Sequence, residues 1–128
     1  VSERDPFEVG IVLVAHGSRV DDANQDVHAV ADRMRQRGFQ RVCAAFLELA
    51  RPGIREAAEH CVDLGARRVI LVPYFLSAGS HVTEDLESHR RQLESQYSGV
   101  EFRLAPPLGP HPLLERIVCE RVEQMVRD

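Results

Sequence analysis

Four short apolar runs, each followed by a stretch of helical periodicity, restrict this chain to very few folds. Val9 to Ala15 is the first run. After "HGSR" comes a helical pattern with Ala23, Val27, Val30, Ala31 and Met34 on one face. "QRVCAAFLEL" repeats the strand signal, and Pro52 opens "PGIREAAEHCVDLG", whose buried stripe is Ile54, Ala57, Ala58, Cys61 and Leu64. "RRVILVPYFL" is the third and strongest strand, and "SHVTEDLESHRRQLESQY" carries Val82, Leu86, Leu93 and Tyr97 at helical spacing. "VEFRLAP" is a fourth strand, and Leu113, Leu114, Ile117, Val118, Val122 and Met125 mark a closing helix. Gly38 and Gly65 end the first two helices in matching places. Parallel neighbours need crossover connections of fixed hand, so this alternation predicts an α/β fold. The expected architecture is three layers, α/β/α, around a four-stranded parallel sheet of order 2-1-3-4, covered on both faces.

A chain of 128 residues fits one domain, taken here as 1–128, with residues 1–8 expected as a flexible N-terminal segment. The opening "VSERDPFEVG" lacks the apolar core of a signal peptide, and no later run reaches membrane-spanning length. The expectation is a cytoplasmic protein without a membrane partner. Net charge is −4 with no basic block, which argues against nucleic acid as a partner. All 16 basic residues are arginines, so a Schiff-base lysine, a pyridoxal phosphate anchor and a Walker-type loop are excluded. Cys43, Cys61 and Cys119 are far apart in otherwise apolar periodic segments, which predicts reduced, mostly buried thiols.

In sheets of this kind ligands bind beyond the carboxyl ends of the strands, near the switch in strand order. His16 follows the first strand, Glu48 closes the second, and the loop with His81 follows the third. A histidine or glutamate at one strand end is ordinarily a loop residue without a special role. Two imidazoles and a carboxylate on one rim are harder to dismiss, because they suit cobalt, nickel, iron or zinc and leave coordination positions open. Phosphate binding by "HGSR" competes, since Gly17 and Ser18 expose backbone amides before a helix. Ala15 stands where a histidine phosphatase needs arginine, and the chain has no G-x-S-x-G elbow. His28, His60 and His89 read as solvated or boundary helix residues, and His111 as a turn or helix-start residue. Glu84, Asp85 and Glu87 fall in the first turns of the third helix, where they complement its dipole.

"VAHGSR" with Asn24 downstream, "FLELARPGIREA", "GARRVILVPYFLSAGSHVTEDL" and "PPLGPHPLL" together resemble the small sirohydrochlorin chelatases of the CbiX type, within the class II chelatases. The resemblance runs from the first strand into the last helix. It implies a chelatase-like fold, with His16 and His81 binding the metal and taking part in its insertion. Glu48 then faces the same cavity. Asp85 is followed by Leu86 and Glu87 where many relatives have Asp-Ile-Pro, so the helix is expected to run on without a break.

The implied activity is insertion of a divalent metal, Co2+ first and Ni2+ or Fe2+ as alternatives, into sirohydrochlorin for cobalamin or siroheme. The metal is a substrate, and no organic cofactor is expected. The resemblance also implies a homodimer. Arg19 and Arg51 are candidate partners for substrate carboxylates, Ser18 is a further candidate substrate-binding residue, and Ser77, Gly79 and Ser80 are candidates for shaping the substrate entrance. The reading from another class is a noncatalytic metal or tetrapyrrole carrier that retains the same residues.

Overall fold

The computed structural model describes residues 8–127. The order is β1 (Val9–Ala15), α1 (Asp21–Gln36), β2 (Arg41–Phe46), α2 (Ile54–Asp63), β3 (Arg68–Pro73), α3 (Ser80–Gln96), β4 (Glu101–Leu104) and α4 (Pro112–Val126). The strands form one sheet of order β2-β1-β3-β4, and every neighbouring pair is parallel. Both the expected order and the expected class hold. β1 is central and its residues from Gly10 to Ala15 are buried, which explains why its sequence is a continuous apolar run.

Alternation along the strands separates two cores. Val12, Val14, Ala45, Val69, Leu71 and Phe102 meet α2 and α3 through Ile54, Ala57, Ala58, Cys61, Leu86 and Leu93. Ile11, Leu13, Ala15, Val42, Ala44 and Phe46 meet α1 through Val27 and Ala31 on the other face. Gly10 lets α2 approach β1 closely, since a Cβ there would lie 2.8 Å from the Cβ of Cys61. Gly38 and Gly65 follow α1 and α2 with φ of 107° and 98°, the left-handed conformation that stops a helix.

Several sequence expectations shift once the elements pack. Ala23 is exposed and Asn24 is buried, because the inward spacing of α1 is 24, 27, 31. α2 starts at Ile54 with Gly53 as its N-cap, so Pro52 precedes the helix, and its carbonyl accepts from the Phe46 N–H. Leu64, past the end of α2, is exposed, while Val82 and Tyr97 are half-buried. α3 does run unbroken from Ser80 to Gln96. Its first turn carries no acid, and Glu87 is held by Arg90 and Arg91 rather than by the dipole. Of the segment 1–8 only Glu8 is described, its carbonyl accepting from Arg67 at 2.7 Å. The expectation for residues 1–7 lies outside the described residues.

The largest departure is α4. Its last apolar pattern is helical, but only Leu114 is even half-buried. Leu113, Ile117, Val118, Val122 and Met125 are all exposed. The sheet face bearing α1 is therefore covered over β1 and β2 but thinly over β3, where Ile70 and Val72 stay half-buried. Charged neighbours occupy the β4 side, where Glu101 bridges Arg68 and Arg103. Cys119 is exposed on α4, against the expectation of mostly buried thiols; Cys43 is half-buried and Cys61 buried, and all three are free.

Candidate functional site at the carboxyl rim of the sheet

The rim is built by strand pairing that continues past the strands. Beyond the register partners Ala15 and Phe46, the Leu47 N–H donates to the Ala15 carbonyl and the Glu48 N–H to the His16 carbonyl, both at 3.0 Å. His16 and Glu48 are thus backbone neighbours. On the other side the Tyr74 N–H donates to Val14 at 2.7 Å, which brings the loop after β3 against β1. From that loop Phe75, itself buried, stacks on the His16 imidazole with ring centres 4.3 Å apart and planes at 27°.

Gly17 turns the chain away from the strand with φ of 96°. A Cβ at this position would lie 1.8 Å from the Glu48 carbonyl oxygen, so only glycine fits. Ser18 is held next. Its N–H donates to Asn24 Oδ1 at 2.9 Å, and its carbonyl accepts from Asn24 Nδ2 at 2.8 Å. The Ser18 hydroxyl accepts from the Val20 N–H at 3.0 Å, so it shapes the entry to α1. Leu49, directly after Glu48, has φ of 65° and is 55% exposed.

The remaining expected residues are placed as follows. Glu48, Arg19, Ser77, Gly79, Ser80 and His81 are exposed. Gly79 is the N-cap of α3 and His81 its second residue. Beside this loop lies a groove of about 360 Å³ lined by Pro73, Ala78, Thr83, Leu86, Leu104 and Pro106. Arg51 is exposed and donates to Glu56 at 3.1 Å, an ion pair that holds the Glu56 carboxyl below its ordinary range. His111 is the N-cap of α4, its Nδ1 accepting from the Leu113 N–H at 3.0 Å, as the helix-start reading expects. His28 packs on Phe46, His89 is half-buried, and His60 is exposed.

His16, Glu48 and His81 share the rim, yet among the described residues no three His, Cys, Asp or Glu side chains gather closely enough to hold a metal ion. The His16 ring lies on Phe75, Glu48 follows β2 and His81 stands in the first turn of α3, and all three residues are exposed. Sequence reading passed over Phe75 and gave Asn24 no role. For Asn24 a signal existed, since a polar residue stands three and seven positions before Val27 and Ala31 on the inward stripe. No strand pattern marks an aromatic residue for stacking on a histidine from another loop.

A family model described as CbiX matches residues 10–125. The chain is 36% identical over 115 residues to the chloroplastic sirohydrochlorin ferrochelatase of Arabidopsis thaliana, covering 89% of this chain and 51% of that protein. It is 34% identical over 118 residues to the sirohydrochlorin cobaltochelatase of Sulfurisphaera tokodaii, covering 92% and 94% of the two chains. Among solved structures, it is similar to the sirohydrochlorin chelatase SirB from Bacillus subtilis subspecies spizizenii in complex with cobalt. There the TM-score is 0.84 at 27% identity, over 91% of this chain and 50% of that one. The chain therefore spans about half the length of the plant relative and of SirB, and nearly all of the archaeal relative.

Proposed function

Because the chain belongs to the CbiX family, we propose that it is a metallochelatase, a single domain that inserts a divalent ion into sirohydrochlorin. The observation that carries this reading is the exposed His16 imidazole stacked on Phe75 at the rim, with Glu48 bonded alongside through the backbone and His81 in the first turn of α3. The names of the two relatives support cobalt or iron as the metal. Cobalt is placed first and nickel is the further alternative.

Insertion replaces two pyrrole protons of the macrocycle by one M2+ ion, so two protons must be taken up as the ion exchanges its earlier ligands for the four ring nitrogens, two of them newly deprotonated. Imidazole suits both tasks, because it binds such ions and titrates near neutrality. A nitrogen bound to metal cannot act as base at the same moment. His16 and His81 therefore share metal delivery and proton removal, and Glu48 adds the negative charge that favours a dication. Sirohydrochlorin bears many carboxylates; Arg19 is an exposed partner for them, and Arg51 becomes one by giving up Glu56. Ser18 keeps its backbone-shaping part, while Ser77, Gly79 and Ser80 line the entrance.

The chain acts as a homodimer in the cytoplasm in this reading. Two observations support the dimer: α4 exposes a wide apolar face, and relatives twice as long match this chain over half their length. A carrier that binds metal or tetrapyrrole without turnover would keep the same residues. Mixing the protein with cobalt and sirohydrochlorin and following the absorption spectrum separates the two. Metallation faster than the spontaneous reaction is expected, with His16→Ala and His81→Ala each returning it to that background while remaining folded. Near-normal rates in both variants overturn the assignment, and binding without acceleration supports the carrier.

A further inference from the structure

Asn24 is the one buried polar residue among the described residues, only 6% exposed. A carboxamide out of water is costly unless its donor and acceptor are both satisfied. Here both are satisfied by a single residue, because Oδ1 takes the N–H of Ser18 and Nδ2 gives to its carbonyl. Two bonds to the amide on one side of Ser18 and the carbonyl on the other fix both flanking peptide planes.

Helix stability does not account for this arrangement. Asn is among the best N-cap residues, yet the N-cap of α1 is Val20, which offers no capping side chain. The asparagine stands four residues later and reaches back over the helix start to the loop. In that loop His16 is gripped at three places. The Glu48 N–H holds its carbonyl, the Phe75 ring holds its imidazole, and Gly17 is pressed against the Glu48 carbonyl. All three come from the segments that follow β2 and β3. The α1 side of the loop depends on Asn24 for both ends of Ser18, two residues beyond His16.

We propose that Asn24 is a positioning residue, clamping Ser18 so that the His16 imidazole stays stacked on Phe75 and aimed at the rim. It touches neither metal nor macrocycle and acts only through the loop. The assignment rests on the proposed role of His16, but the placement of the ring can be read without any reaction.

The test is Asn24→Ala, with Asn24→Asp as the variant that keeps the acceptor and loses the donor. In the intact protein the ring current of Phe75 shifts the His16 carbon-bound protons upfield. Asn24→Ala is expected to move them toward the positions of an unstacked histidine, and Asn24→Asp to move them partway. In the cobalt insertion assay kcat should fall about tenfold or more, as misplacement of a reacting group does. The KM for sirohydrochlorin should change less than kcat does, since Asn24 itself touches no part of the substrate. Asn24→Asp should again be intermediate. If Asn24→Ala does not fold, Asn24→Asp and Asn24→Ser carry the same readouts. Unmoved His16 resonances in a folded variant, or a kcat within twofold of the parent, overturn the assignment of Asn24. Moved resonances together with full activity in His16→Ala overturn the chelatase role of His16 instead.

Discussion

Around His16, single residues carry constraints that ordinary composition would not reveal. Gly17 is obligatory because the Glu48 carbonyl occupies the space of a Cβ. Leu49 is the opposite case: its φ of 65° is left-handed, and its side chain is more than half exposed. A non-glycine residue in that region costs roughly 1–2 kcal/mol, and glycine returns part of it through the entropy of the unfolded chain. Leu49→Gly should therefore raise stability, by up to about 1 kcal/mol, in urea denaturation. If the strain holds Glu48 at the rim, the same variant loses metallation rate while gaining stability. A Leu49→Gly protein that is no more stable than the parent contradicts the account of strain.

Among the elements, α4 is the one whose own chain does not explain it. A helix of 15 residues is marginal alone, and tertiary packing of its apolar face normally supplies the stability. Each Leu, Ile or Val fully buried contributes about 1.5–3 kcal/mol, and here almost none of that is realised within the chain. In the proposed dimer a second copy covers Leu113, Ile117, Val118, Val122 and Met125, which are exposed in the single chain. Val122→Asp should then shift the protein from dimer to monomer in analytical ultracentrifugation. Its circular dichroism should retain the sheet and the other helices, since α4 touches its own core only near Leu114. A parent protein that sediments as a monomer at micromolar concentration removes the dimer reading altogether. α2 shows the contrasting behaviour, with Ile54, Ala57, Ala58 and Cys61 all buried against the sheet.

For the molecule as a whole, that packing has a consequence at high pH. Desolvation pushes the Cys61 thiol up to about 11, from an ordinary value of 9.0. The unfolded chain releases this proton near the ordinary value, while the folded chain keeps it. Folding stability from this group is therefore full below about 9 and is lost as pH rises toward 11, on the order of 2–3 kcal/mol. Alkaline thermal melts of Cys61→Ala should show a shallower decline than the parent over that window, and parallel declines exclude the thiol as the cause. Much of the architecture was legible in the sequence: periods of two and of 3.6 residues set the elements, crossover connections made the sheet parallel, and the expected order β2-β1-β3-β4 is the one found. The rim positions of His16, Glu48 and His81 followed from that topology, because strand ends in a parallel sheet share one edge. Tertiary structure alone decided that Phe75 stacks on His16, that Asn24 bonds both the N–H and the carbonyl of Ser18, and that α4 stays uncovered. Periodicity reports which face of an element is apolar, and says nothing of which distant group meets that face. Contacts between loops depend on how several elements pack at once.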